Sequence, residues 1–211
     1  GNSFLDYGPD KKETKFCKAS GAISIGLTCH NSNIEHFTST SSRNIYSVVV
    51  GSLNAKGKHS NFSSAGANLF VTAPGSEIIT TDTMGCDRGY SDNLNCNYTE
   101  ISGTSFSTPI VSGVIALMVE ANPDLTWRDI KHILATTSDK VDADNKQVKI
   151  DVDGQDFIAH AGWIKNKADL YFNNLYGFGR VNAANAVEAA KSYQDHKVGE
   201  PKKTTWIGKG S

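Results

Sequence analysis

The chain has 211 residues, with 22 acidic against 21 basic side chains and a formal net charge of −1. That length holds one domain with a real core, and near-neutrality removes any electrostatic case for nucleic acid or an anionic membrane as partner. No run of about 18 apolar residues marks a membrane span.

Four cysteines form two close pairs, Cys17 with Cys29 and Cys86 with Cys96, each bracketing a loop rich in Ser, Asn, Asp and Gly. No C-x-x-C occurs and no histidine stands at ligand spacing, so a metal cluster is not indicated. Two local disulfides in an oxidising compartment are the leading reading, with free buried thiols as the alternative. Asn61-Phe-Ser63 and Asn97-Tyr-Thr99 fit the glycosylation sequon, which matters only in a eukaryotic secretory host.

Asn44–Val50 is β-branched and nearly all apolar, and reads as a fully buried strand of a parallel sheet. Shorter strands are predicted over Leu69–Thr72, closed by Ala73-Pro74-Gly75, and over Ile78–Thr81. A helix is predicted from about Ser107 to Ala121, ending at Asn122-Pro123. A second begins after Thr126, with Thr126 as N-cap and Asp129 completing a capping arrangement. Its apolar positions Trp127, Ile130, Ile133 and Leu134 keep helical spacing. Gln147–Val152, Asp153-Gly154 and Gln155–Ile158 form a hairpin pattern within a surface excursion running from Asp139 to Asn174. A last helix, Ala183–Ser192, is capped by Asn182. The tail from His196 reads as a linker, which divides the chain into 1–195 and 196–211.

The segment with chemistry is Gly103-Thr104-Ser105-Phe106-Ser107-Thr108-Pro109, directly ahead of the apolar run Ile110–Met118. The first helical turn has N–H groups without intrahelical partners, and these can face a developing oxyanion. Gly103 leaves room for a substrate, and Pro109 falls in the early helix, where its missing N–H costs little. A serine in this place is a candidate nucleophile. It needs a base, normally a histidine held by a carboxylate. A plain Ser/Thr helix cap is the competing reading of a bare Gly-Thr-Ser.

The full string resembles the nucleophile motif of the subtilisin-like serine proteases, the subtilases. Glu120–Ile130 and Tyr176-Gly-Phe-Gly-Arg-Val-Asn-Ala183 are similar to segments of the kexin and furin-like proprotein convertases, and Ala73-Pro-Gly75 to a motif shared across subtilases. The resemblance covers most of Asn44–Ala190. It implies an α/β fold: the C-terminal portion of a parallel-sheet, three-layer catalytic domain, whose partners are protein or peptide substrates, the N-terminal half of that domain, and a domain downstream. It implies secretion and serine endopeptidase activity, with Ser105 as nucleophile and Asn2, in the pair Gly1-Asn2, as oxyanion donor. A neutral amide donates to an oxyanion without neutralising a nearby base.

Departures from the family pattern are specific. The catalytic aspartate and histidine contexts are absent, and none of the six histidines fits; His30 sits in a cysteine loop, His59 in a turn and His132 on a helix. Both residues are expected upstream of Gly1, so the chain by itself is expected to be inactive. A non-catalytic pseudoprotease or binding module is the alternative. Convertases place an acidic specificity residue where this chain has Thr38–Arg43; the nearest carboxylates are Glu35, Asp6 and Asp10. The resemblance brings in calcium, but the place of its glutamate ligand is Asn61-Phe-Ser-Ser64. The Asp142, Asp144, Asp151 and Asp153 group lacks EF-hand spacing and reads as a solvated hairpin.

Overall fold

The computed structural model describes Asn2 and residues 24–25, 28–29, 45–86, 88–90, 97–152 and 155–193. Two short strands, β1 (Ser24–Ile25) and β2 (Thr28–Cys29), pair antiparallel. The centre is a parallel pair, β3 (Val50–Leu53) and β4 (Val71–Pro74), in register Val50 with Val71 through Leu53 with Pro74. β3 is buried along its whole length, as expected of a parallel strand covered on both faces.

The strand predicted over Asn44–Val50 starts later than expected. Ile45 and Tyr46 stand in a turn and are 55% and 58% exposed. The reason is pairing: β4 begins at Val71, and Phe70 N–H donating to the Val49 carbonyl (2.8 Å) carries the ladder only one step further. The turn is held instead by α2 (Trp127–Thr137), where Lys131 Nζ donates to the Ile45 carbonyl at 2.7 Å and Tyr46 packs edge-on against Trp127 at 4.8 Å.

β5 (Ile78–Thr81) matches its predicted bounds and pairs antiparallel with β6 (Tyr98–Ile101), a strand the sequence pattern did not reveal. The β5–β6 hairpin runs straight into α1 (Thr104–Ala121). This helix starts three residues before its predicted start, with Gly103 as N-cap. Pro109 therefore lies in the helix interior, where an N–H would have donated to the Ser105 carbonyl. That corrects the expectation of a proline in the permissive first turn.

α1 buries one stripe, Thr104, Ser107, Val111, Val114 and Met118, at alternating spacings of three and four. Each large apolar member of that stripe stabilises by about 1.5–3 kcal/mol. The stripe faces Val50, Val71 and Ala73 of the parallel pair and Ala186 and Ala190 of α3 (Ala183–Lys191). Ile110 and Leu117 flank this stripe on one side, 40% and 49% exposed, and Val119 on the other, 38% exposed. By length and mean hydropathy (1.4) α1 is long and apolar enough to cross a membrane, which the sequence reading did not register; its packed stripe is what a core helix shows.

α2 (Trp127–Thr137) has the predicted capping box, with Thr126 Oγ1 accepting from Asp129 N–H and the Asp129 carboxylate accepting from Thr126 N–H. It adds Ile133 and Leu134 to the core. Asn182 caps α3 by accepting from Asn185 N–H. The predicted hairpin is present as β7 (Val148–Val152) and β8 (Gln155–His160), with a register shift at Val148/Lys149. A two-residue pair, β9 (Ile164–Lys165) with β10 (Tyr171–Phe172), follows. The Tyr176–Arg180 segment then lies along β4: Thr72 N–H donates to the Gly179 carbonyl (2.8 Å) and Val181 N–H to the Thr72 carbonyl (2.9 Å). Arg180 closes this edge through Asp139, 2.8 Å away.

Candidate active site

Ser105 is the second residue of α1 and is exposed. At that position its N–H has no intrahelical acceptor and points out of the helix mouth. Thr104, the first helical residue, is 8% exposed. Its N–H and its hydroxyl both donate to Asn2 Oδ1, at 2.9 and 2.7 Å. A backbone N–H can only donate, so these two bonds fix which end of the Asn2 amide is oxygen. The Nδ2 end is left on the Gly103 side, 3.4 Å from where a Cβ on Gly103 would stand. The structure thus brings together the two site residues expected from sequence, Asn2 and Ser105, across about a hundred residues of chain.

The helix mouth is held from below by Ala73-Pro74-Gly75. Gly103 N–H donates to the Gly75 carbonyl (2.7 Å) and Ser107 Oγ to the Pro74 carbonyl (3.1 Å). A side chain at Gly75 would overlap Ser107 Oγ, stand 2.5 Å from Ser52 Oγ and 2.8 Å from the Gly103 carbonyl oxygen. Thr104, Ser107 and Gly75 are therefore positioning residues that the sequence reading passed over. The Ala-Pro-Gly motif was visible as a resemblance; its place beneath the helix mouth that carries Ser105 was not.

A cavity of about 450 Å³ opens beside this segment, lined by Asn54, His59, Ser60, Phe62, Glu77 and Ser102. Glu77, at φ 57, donates its N–H to Ser102 Oγ (2.9 Å). Ser60 Oγ links Ser52 Oγ (2.9 Å) and Ser76 Oγ (2.6 Å) in the floor.

Each of the three described histidines has a partner other than Ser105. His132 Nδ1 is 3.0 Å from Tyr193 Oη, His160 Nε2 is 2.6 Å from Asn145 Oδ1, and the His59 ring packs edge-on to Tyr176 at 6.2 Å. The remaining histidines and the candidate acids Glu35, Asp6 and Asp10 lie outside the described residues. So do Cys17 and Cys96; Cys86 is disulfide-bonded.

The position matching the family's calcium glutamate does not fit a hard cation. Ser63 Oγ accepts from Ser52 N–H at 2.9 Å, Ser64 is buried, and no carboxylate is present among residues 61–64. Asp142 is engaged with Tyr176 and Lys58, and among the described residues no three His, Cys, Asp or Glu gather to hold a metal.

A parallel strand pair delivers an Ala-Pro-Gly turn beneath a serine-bearing helix mouth, with the Asn2 amide anchored to the first residue of that helix, in an α/β protein. The subtilase family profile matches residues 9–179, and the chain belongs to the subtilase family. It is 34% identical over 196 residues to the Aeromonas extracellular serine protease of Aeromonas sobria, covering 80% of this chain and 31% of that protein. To Protease KEX1 of Kluyveromyces lactis it is 30% identical over 190 residues, covering 88% and 21%. The crystal structure of the Aeromonas sobria serine protease superposes with a TM-score of 0.63 at 34% identity, over 70% of this chain and 30% of that one. The chain spans about a third or less of the length of these relatives.

Proposed function

We propose that this chain carries the nucleophile and oxyanion hole of a secreted serine endopeptidase of the subtilisin/kexin type. Ser105 Oγ attacks the scissile carbonyl and loses its proton to a histidine from outside the chain, held by an aspartate. The carbonyl oxygen becomes an oxyanion between Asn2 Nδ2–H and the Ser105 N–H. The C–N bond then breaks, the histidine returns the proton to the leaving amine, and the acyl-Ser105 ester is hydrolysed by water. The observation that carries the reading is the doubly anchored Asn2 amide: Thr104 occupies its oxygen, which leaves the N–H₂ end as donor beside Gly103 and Ser105.

The uncovered apolar face of α1 supports a larger domain. Ile110 and Leu117, on one flank of the buried stripe, form a surface that further elements of the same catalytic domain would cover. Secretion is supported by the extracellular Aeromonas relative and by the bonded Cys86.

Fluorophosphonate labelling of the full-length protein, followed by peptide mapping, tests the assignment. Label is expected on Ser105 alone; label on another serine, or none on a folded full-length protein, overturns it.

A further inference from the structure

Tyr176 is 1% exposed, and a buried phenol needs partners for its hydroxyl. It has two. The oxygen accepts from His59 N–H at 3.0 Å, and the O–H donates to Asp142 Oδ2 at 2.8 Å. Burial first, and then the Asp142 carboxylate, raise its pKa far above the ordinary tyrosine value, so the group stays a neutral donor. Asp142 sits in the left-handed region at φ 45, and its second oxygen faces Lys58 Nζ at 3.5 Å. Trp163 stacks on the Tyr176 ring at 5.6 Å and 11°. Its indole N–H is shared by the Val141 and Asp142 carbonyls at 3.2 and 3.3 Å.

Asp142 and Trp163 belong to the surface excursion, while Lys58 and His59 belong to the turn after β3. One tyrosine therefore clamps the excursion to that turn. The next residue, Ser60, continues the contact inward. Its N–H donates to the Ser52 carbonyl (3.0 Å) and its hydroxyl bridges Ser52 and Ser76. Gly75, beside Ser76, receives the Gly103 N–H. His59 and Ser60 are also wall and floor of the cavity that reaches Ser102, three residues before Ser105.

We propose that Tyr176 is a positioning residue for the cleft beside Ser105, and that through it the excursion sets how tightly that cleft holds the polypeptide flanking the scissile bond. This rests on the endopeptidase reading above. A tyrosine that only filled the core would affect stability and leave substrate affinity alone. A clamp on the cleft wall changes affinity for substrates long enough to occupy the cleft, and leaves the reactivity of Ser105 towards a small reagent intact.

The test uses the full-length enzyme with Tyr176→Phe, Asp142→Ala and Asp142→Asn, assayed well below each variant's Tm. Tyr176→Phe keeps the ring contacts and removes the hydroxyl. Losing both buried hydrogen bonds of the hydroxyl corresponds to a rise of about fivefold or more in KM for peptides extending on both sides of the cleaved bond. The kcat and the rate of fluorophosphonate labelling at Ser105 stay at wild-type values. Asp142→Ala copies this split, whereas Asp142→Asn, which still offers an oxygen to the hydroxyl, restores KM. Should Tyr176→Phe fail to fold, Asp142→Ala against Asp142→Asn carries the comparison. An unchanged KM with only a lowered Tm overturns the proposal, as does a parallel fall of hydrolysis and labelling. A wild-type enzyme without Ser105-dependent hydrolysis overturns the endopeptidase reading instead.

Discussion

Thr104 gives both of its hydrogens, from backbone and hydroxyl, to one oxygen of Asn2. This pair joins residues 102 apart in sequence and leaves the amide donor of Asn2 on the Gly103 side. Substituting Asn2→Ala in the full-length enzyme is expected to lower kcat by about 10²–10³ with little change in KM. That magnitude is the loss known for the corresponding donor of subtilisin itself, and it is borrowed. Steady-state kinetics on a peptide substrate checks it; a loss carried by KM alone would mean that Asn2 binds substrate and does not act on the oxyanion.

Thr104→Val removes the hydroxyl and keeps the backbone N–H. The Asn2 oxygen then loses one of its two anchors, which is a cost of about 0.5–1.5 kcal/mol if the amide has to reorder before it donates. The expected outcome is a fall in kcat of roughly threefold to tenfold, smaller than that of Asn2→Ala. The double variant should be no slower than Asn2→Ala alone, since both act through one amide.

Gly75→Ala puts a methyl group into Ser107 Oγ and the Gly103 carbonyl. No flexible side-chain end can yield on the carbonyl side, so the turn beneath Ser105 must shift. Destabilisation of about 1–3 kcal/mol is expected, together with loss of activity. Thermal unfolding of the full-length variant checks the first, and retained wild-type Tm would show that the turn is more compliant than its packing indicates.

Asp139 is held below the ordinary carboxylate range, first by its hydrogen bond from Arg180 and also by Asn182. Its folded pKa is depressed, so its contribution to stability is present above the unfolded value of about 3.9 and is lost as pH falls through the lower folded value. Asp139→Asn should therefore reduce Tm at pH 6–7 and make little difference at pH 2–3. Both partners are partly exposed, so the effect should also shrink at high salt. Equal destabilisation at both pH values would assign the role to packing.

The 211 residues alone are expected to show no peptidase activity, because a serine with oxyanion donors but no base loses about 10⁶ in turnover, again a subtilisin figure. Hydrolysis of fluorogenic peptides by the isolated chain, abolished by Ser105→Ala and with the mass confirmed, would show that one of its own histidines serves as base.

Local patterns determined by themselves much of what stands here. The α2 capping box was legible because Thr126 and Asp129 satisfy each other within one turn; the β7–β8 hairpin, because alternation along its two strands specifies register locally, while Asp153 and Gly154 between them lie outside the described residues. Ser105 was singled out by its place ahead of an apolar helix and then by resemblance, Asn2 by resemblance alone. Tertiary structure alone decided the rest. The early start of α1 depends on Gly103 docking onto Gly75, and β6 exists because β5 offers it a ladder. The strand expected at Asn44–Val50 loses its first half because no described neighbour pairs with it. The Tyr176–Asp142–His59 clamp joins segments 34 and 117 residues apart. Contacts at that separation leave no periodicity in the sequence, because they are set by where packed elements bring the chain and not by any turn of the chain itself.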